Sequence, residues 1–412
     1  MESHVAEDGC LKGLAMPETT ATNRWVYLDN NATTCVDSRV VDAMLPYFRE
    51  HYANPSSMHG LGSEAATAVS AARDQVRSLL AAERESEIVF TSGGSESNNT
   101  AICSALEMQA GRDEIVTSSV EHPSVLALCA HLEKTGRAKV HRIPVDTQGN
   151  LNMGAYRNAL SSRTALATIQ WANNETGVIF PVETLASMTH QVGALFHTDA
   201  VQAVGRIAAK LETTEIDMLS VSAHKLHGPK GIGALYVRHG VRLAPLIYGG
   251  RQERARRAGT ENTPAIVGFG VAAELAKEAL DSDMPRVCTL RDRLQREILR
   301  SVPGSMLIGA ERNRLPNTLN IAFEEVEADS ILLMLDRASI AASSGSACSA
   351  GSMEPSHVLR AMKVPFSHLR GSVRFSFSRE NCDRDVDWVL EVLPQAVKEL
   401  RVFSTPMEAV YE

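Results

Sequence analysis

The sequence predicts an α/β protein, with a large, mostly parallel sheet covered by helices on both faces and a smaller α+β domain after it. Three observations carry that expectation. From Trp25 to about Gly270, short apolar runs alternate with longer amphipathic stretches, the rhythm of strands joined by crossover helices. Beyond Gly270 the rhythm changes to a charged helical stretch ending near Arg300, two strands and a closing helix. The length of 412 residues, 44% of them hydrophobic and 22% charged, is enough for about two domains with sizeable cores.

Taken in order, residues 1–23 are polar and aperiodic and include Gly9, Gly13 and Pro17, so a flexible N-terminal tail is expected. Strands are predicted over 87–90, 114–117, 140–144, 165–170, 194–197 and 218–222, with helices between most of them. Residues 217–222 and 234–237 are joined through His227, Gly228, Pro229, Lys230 and Gly231 without a crossover helix, which implies a hairpin and one antiparallel strand. Strands over 317–323 and 372–378 and a helix over 384–400 complete the chain. The expected division is a tail (1–23), a large domain (38–278) and a small domain (24–37 with 279–412) carrying a Ser/Gly/Ala-rich loop, 341–352.

Composition excludes several classes. With 41 basic and 49 acidic side chains and a net charge of −8, the chain has no global positive field for nucleic acid or anionic lipid. No secretory or transit leader is visible, and the apolar stretch 265–276 is broken by Gly268 and Gly270 and is too short to span a bilayer. A cytoplasmic protein without membrane or nucleic-acid partners is expected. The seven cysteines are scattered and form no Cys-x-x-Cys pair, which fits neither a disulfide framework nor a zinc site.

Three constellations carry chemistry. The strand over 87–90 runs into Thr91, Ser92, Gly93, Gly94 and Ser95 and then a helix, a turn whose free N–H groups suit a phosphate; Ser95 as an ordinary helix cap is the alternative. Asp199 ends a predicted strand, where open α/β sheets hold ligands, although a lone acid there also fits a cap or a buried pair. Lys225 follows the next strand beside Gly228 and Pro229; it is either a solvated lysine or a Schiff-base amine. Together they are what pyridoxal 5′-phosphate requires: a phosphate anchor, an anion for the pyridinium nitrogen and an amine for the aldehyde.

Other residues are weighed beside these. Cys348 sits among small residues, as an exposed reactive thiol does, or as an incidental linker cysteine does. Val373, Phe375 and Phe377 share one face of a strand, which puts Arg374 on the opposite, polar face with Ser372 and Ser376, a rigid clamp for a carboxylate or one half of a surface ion pair. For Arg379 the surface pair is the better reading. His122 follows a strand and either carries protons over a cofactor ring or is a loop histidine. The four arginines of 251–257 read as a solvated basic loop.

These motifs resemble the cysteine desulfurases, within the pyridoxal-phosphate aminotransferase-like superfamily. The likeness runs from Tyr27, Leu28, Asp29, Asn30 and Asn31 through 91–99, 172–177, 197–202, 222–231, 257–262 and 343–351 to Arg379. It implies the aspartate aminotransferase-like fold, fold type I of the pyridoxal-phosphate enzymes. It also implies that Lys225 holds the cofactor aldehyde, Asp199 the pyridinium and Gln202 the ring oxygen, with His122 stacked on the ring. Gly94, Ser95, Ser222 and His224 match phosphate-binding positions, and Thr260 matches one that reaches the phosphate from the other subunit of a homodimer. Asn174 and Arg374 match the substrate holders, Arg374 on the carboxylate. Cys348 matches the nucleophile that takes the sulfur of L-cysteine as a persulfide, leaving L-alanine, and passes it to an iron–sulfur scaffold protein.

No resident metal is implied, Cys348 being at most a transient iron–sulfur ligand with such a scaffold. Pro355, Ser356, His357, Val358 and Leu359 mark the long-loop subgroup, and Ser378, where many housekeeping members have glycine, resembles the nitrogen-fixation type. Lys363 also departs from an expected glycine. Selenocysteine lyase is the rival within this fold, and a catalytically silent sulfur-transfer scaffold the rival outside enzymes.

Overall fold

A computed structural model describes residues 24–344 and 355–403. Strand β1 (Val26–Tyr27) opens the described chain. Seven strands then build one sheet: β2 (Ile88–Thr91), β3 (Glu114–Ser118), β4 (Lys139–Ile143), β5 (Thr164–Thr168), β6 (Leu195–Asp199), β7 (Met218–Ser222) and β8 (Gly233–Val237). Their spatial order is β2-β8-β7-β6-β5-β3-β4. All neighbours pair in parallel except β8, which is antiparallel to both β7 and β2. The hairpin expected from the glycine-rich connection is therefore present, and β8 separates β2 from its parallel companions.

Period-2 alternation sends neighbouring residues to opposite faces, and both faces are covered. Ile88, Phe90, Val116, Ala167 and Leu219 join one apolar core. Val89, Ile115, Leu166 and Met218, each one position away, join the other. On the first face helix Gly60–Leu80 buries Val69, Ala72, Val76, Leu79 and Leu80 and packs against helix Thr263–Ser282. Gly268 and Gly270 do not interrupt that second helix. A Cβ at Gly270 would stand 2.7 Å from Ala72 Cα, so glycine permits the close crossing.

The charged stretch after Gly270 is two helices rather than one. Asp283 ends Thr263–Ser282 and starts Met284–Ser301, whose first turn holds Pro285; a proline lacks the N–H that would continue the first helix. The C-terminal part then contributes β9 (Ser305–Leu307), β10 (Thr318–Phe323), β11 (Ile340–Ala341), β12 (Ser343–Ser344) and β13 (Ser372–Ser376). β12, β13, β10 and β9 form an antiparallel sheet, and β11 pairs in parallel with β1. Residues 341–344 are thus not loop as expected, because Ser343 and Ser344 find ladder partners in Arg374 and Val373. Leu319, Ile321, Val373, Phe375 and Phe377 pack on Met284–Ser301 and on the closing helix Asp383–Phe403. Among the described residues no helix is long and apolar enough to cross a membrane.

Candidate active site

Because β2, β3, β5, β6 and β7 run the same way, their carboxyl ends meet along one edge of the sheet, and the segments following them line a cavity of about 350 Å³. Ten of the residues singled out in the sequence line it: Gly94, Ser95, His122, Asn174, Asp199, Gln202, Ser222, His224, Lys225 and Arg374. Thr260 does not; it is exposed, in the loop that precedes helix Thr263–Ser282. Cys348 lies outside the described residues.

The turn after β2 is built for close approach. Gly93, at φ 153°, occupies the cap of helix Gly94–Met108 and supplies no side-chain bond. Ser95 lies inside the helix, so the reading of it as a cap fails, and the first-turn N–H groups with the helix dipole behind them face the cavity. A Cβ on Gly94 would come within 2.7 Å of Val201 Cγ2. Glu96, an acid that would repel an anion here, is held aside by the Ser92 N–H at 2.7 Å and by Arg257 Nε at 2.9 Å.

Asp199 closes β6 and is buried. It accepts from Asn98 Nδ2 at 2.7 Å and from the Val201 N–H at 3.1 Å, both neutral donors, and among the described residues no cation stands within ion-pair distance. A buried anion without a cation is costly unless a ligand supplies the charge. After β7, the turn Ala223–Lys225 presents Lys225, whose Nζ donates to the carbonyls of Asn31 and Ala32. His224 is drawn down to about 4 by burial and by Lys225, Lys230 and Arg206. His122 caps helix Pro123–Lys134, its Nδ1 accepting the Ser124 N–H at 3.2 Å, which puts the ring proton of the neutral form on Nε2.

Arg374 is 1% exposed, so the surface-pair alternative does not hold for it. Its polar strand face is buried because it turns to the cavity: Nη2 meets Asp29 Oδ1 at 2.8 Å, Nη1 meets the Asn174 carbonyl at 3.2 Å, and Nε is buried with no partner among the described residues. Arg379 pairs with Asp37, and both side chains are about nine-tenths buried, so that pair is not on the surface either. The basic loop is likewise less solvated than expected. Arg254 meets Glu85, Arg256 the Ser86 carbonyl and Arg257 Glu96. Its left-handed turn at Glu253, Arg254 and Ala255 is anchored by a buried, two-pronged Arg73–Glu253 pair at 2.8 and 2.7 Å.

Several contributors were not singled out in the sequence. Asn31 is a junction: its N–H donates to Ser376 Oγ, and its Nδ2 to the Asn174 carbonyl and Thr318 Oγ1. Its Oδ1 accepts from Asn317, and its carbonyl from both Lys225 and Gln202. Glu121 and Glu175 are buried carboxyls raised by burial to about 8 and about 7; Ser118 holds the first back and Ser356 the second. His357 Nε2 contacts the Glu121 carbonyl at 2.9 Å. Asn31, Glu175 and His357 lay inside motifs noticed in the sequence; Arg206, which holds Gln202, carried no signal there.

The Aminotransferase class-V family model matches residues 26–389. A protein of Gluconacetobacter diazotrophicus named cysteine desulfurase is 63% identical over 379 residues, covering 92% of this chain and 95% of its own length. The Azotobacter vinelandii protein named cysteine desulfurase NifS is 51% identical, with 92% and 94% covered. Among solved structures, a NifS-like protein superposes with a TM-score of 0.86 at 36% identity, over 92% of this chain and all of its own. A structure described as SspA in complex with cysteine gives 0.76 at 35% identity, over 86% and 99%.

Proposed function

The chain belongs to the class-V aminotransferase family and, within it, to the cysteine desulfurases, and from that membership we propose that it takes the sulfur of L-cysteine onto Cys348 as a persulfide and releases L-alanine. The observation that carries the reading is the convergence in one cavity of a helix N-terminus without a side-chain cap, a buried carboxylate that meets no cation among the described residues, and a lysine amine. Those three features fit pyridoxal 5′-phosphate. Gly94, Ser95, Ser222 and His224 would hold the phosphate, Asp199 the ring nitrogen, Gln202 the ring oxygen and Lys225 the aldehyde. When bound, the cofactor supplies a sink for electrons from the α-carbon of an amino acid.

The chain's own groups do the rest. Arg374 and Asn174 hold the substrate carboxylate, the guanidinium being already oriented by Asp29. With the cofactor bound, Lys225 would move the proton at the α-carbon, and His122 Nε2 would serve as a second carrier. The thiolate of Cys348 attacks the cysteine sulfur: an S–S bond forms, the Cβ–S bond breaks with its electron pair going to carbon, and protonation there completes alanine.

Thr260 reaches the phosphate from a second copy of the chain. Exposed apolar side chains concentrate in two runs, Leu45, Phe48, Tyr52, Met58 and Leu61, and Leu246, Ile247 and Tyr248, a pattern that marks an association surface and supports a homodimer. The persulfide passes to an iron–sulfur scaffold serving nitrogenase, a destination supported by Ser378 and by the NifS name of the Azotobacter relative. The test is Cys348→Ala. It is expected to keep the visible absorbance band that appears on adding pyridoxal phosphate and to lose sulfide release from cysteine by about 100-fold or more, as removal of a covalent nucleophile does. Undiminished release would overturn the assignment.

A further inference from the structure

Arg206 is an anomaly of charge. It is 7% exposed, and burial together with the nearby Arg374 draws its pKa down to about 10. Yet among the described residues no carboxylate stands within ion-pair distance. Its bonds all go to neutral oxygens: Nη1 to the Gln202 carbonyl at 2.7 Å and to Gln202 Oε1 at 2.8 Å, and Nη2 to the Asn30 carbonyl at 3.4 Å. A guanidinium desolvated to this degree without an anion is destabilising unless something else supplies the negative charge.

The contacts of Gln202 show where that charge belongs. With Oε1 taken by Arg206, the amide has one orientation, and Nε2 becomes the outward donor. Nε2 rests 3.0 Å from the Asn31 carbonyl, the same oxygen that receives Lys225 Nζ. The arm from Arg206 through Gln202 therefore ends where the reactive amine is docked. Asp199, also lining the cavity, is a buried carboxyl with no cation within ion-pair distance among the described residues. One unmatched charge of each sign, Asp199 lining this cavity and Arg206 behind Gln202, complements a ring that is positive at its nitrogen and negative at its phenolic oxygen.

We propose that Arg206 is a positioning residue for the cofactor: it fixes Gln202 as the donor to the ring oxygen and supplies the positive charge that keeps this oxygen ionised. The proposal rests on the reading of the cavity as a pyridoxal phosphate site with Lys225 on the aldehyde. Arg206 does not line the main cavity and acts only through Gln202. The other ionisable groups lining that cavity are Lys225 and His224 after β7, Asp199 on β6, Glu175 after β5, His122 after β3, Arg374 on β13 and His357.

The experiment titrates the absorbance of the cofactor-loaded protein against pH, without substrate, for the parent, Arg206→Lys, Arg206→Met and Gln202→Glu. Removing a cation raises the proton affinity of the chromophore. For Arg206→Met the absorbance transition is expected to move up by about one pH unit or more, the size of effect a neighbouring charge has on a titrating group. Arg206→Lys is expected to restore most of the parent value. Gln202→Glu leaves the arginine buried but neutralises it in place, so it is expected to shift the transition upward even if the methionine variant does not fold. Dissociation of the cofactor, followed by trapping released pyridoxal phosphate, is expected to quicken in the same order.

Parent-like transitions in both Arg206→Met and Gln202→Glu overturn the role of Arg206 while leaving the site intact. A parent that acquires no absorbance band with added pyridoxal phosphate overturns the site and this role together.

Discussion

Glu175 lies one residue from Asn174 and takes a 2.6 Å hydrogen bond from Ser356 Oγ, and its side chain is almost wholly buried. Burial raises it from 4.5 to about 7, against the pull of Ser356 and Arg374. A raised carboxyl favours the fold in its neutral form. Its contribution is complete below about pH 4.5 and is lost as pH climbs through about 7; Glu121, raised to about 8, acts in the same direction. Glu175→Gln, neutral at every pH, is expected to flatten the decline in stability between pH 5 and 8 by about 2 kcal/mol. Thermal melts at the two pH values check it, and a slope equal to the parent's would refute it. At this scale the sequence was informative where residue type and strand-end position agreed, as at Asp199 and Lys225, which line one cavity. It was silent at Arg206, because an arginine four places beyond Gln202 looks like any surface base until its burial is seen. Whether Asp199 had a cationic partner was equally invisible, since Asn98 is 101 positions away.

At the scale of elements, the start of helix Gly94–Met108 is the most demanding feature. A methyl group at Gly94 meets Val201 Cγ2 at 2.7 Å, so either the helix start or the segment after Asp199 must move. Gly94→Ala is expected to weaken retention of pyridoxal phosphate by about 1–3 kcal/mol, the usual cost of overpacking. Val201→Ala in the same chain is expected to recover most of it, as measured by cofactor titration; absence of recovery would place the fault elsewhere. Short apolar runs made the strands of the large sheet legible, because both faces of each strand bury apolar side chains, and the missing crossover helix before β8 made its antiparallel direction legible. The short β12 was not legible: Ser343 and Ser344 have little strand propensity and are extended only because β13 offers them a ladder. The break at Asp283 was missed because the charged, amphipathic pattern continues across it, although Pro285 was a visible signal.

For the whole molecule, the proposal that a second copy completes the site draws on the apolar runs at 45–61 and 246–248 and on the exposed Thr260. Phe48→Asp with Tyr248→Asp is expected to shift sedimentation from dimer to monomer and to speed cofactor loss at least several-fold, because burying two carboxylates in an association surface costs more than that surface can return. An intact dimer with those changes would remove this face from the interface. None of this was legible as geometry in the sequence, where 45–61 has no motif and Thr260 stood out only by family likeness. The junction at Asn31 has a wider consequence. One residue ties the Asn174 carbonyl, which follows β5 of the seven-stranded sheet, to Ser376, Thr318 and Asn317 at the four-stranded one. A clamshell motion about a hinge between the sheets would have to rupture most of those bonds at once, so substrate entry calls for a fixed frame, and frames with and without bound amino acid should superpose.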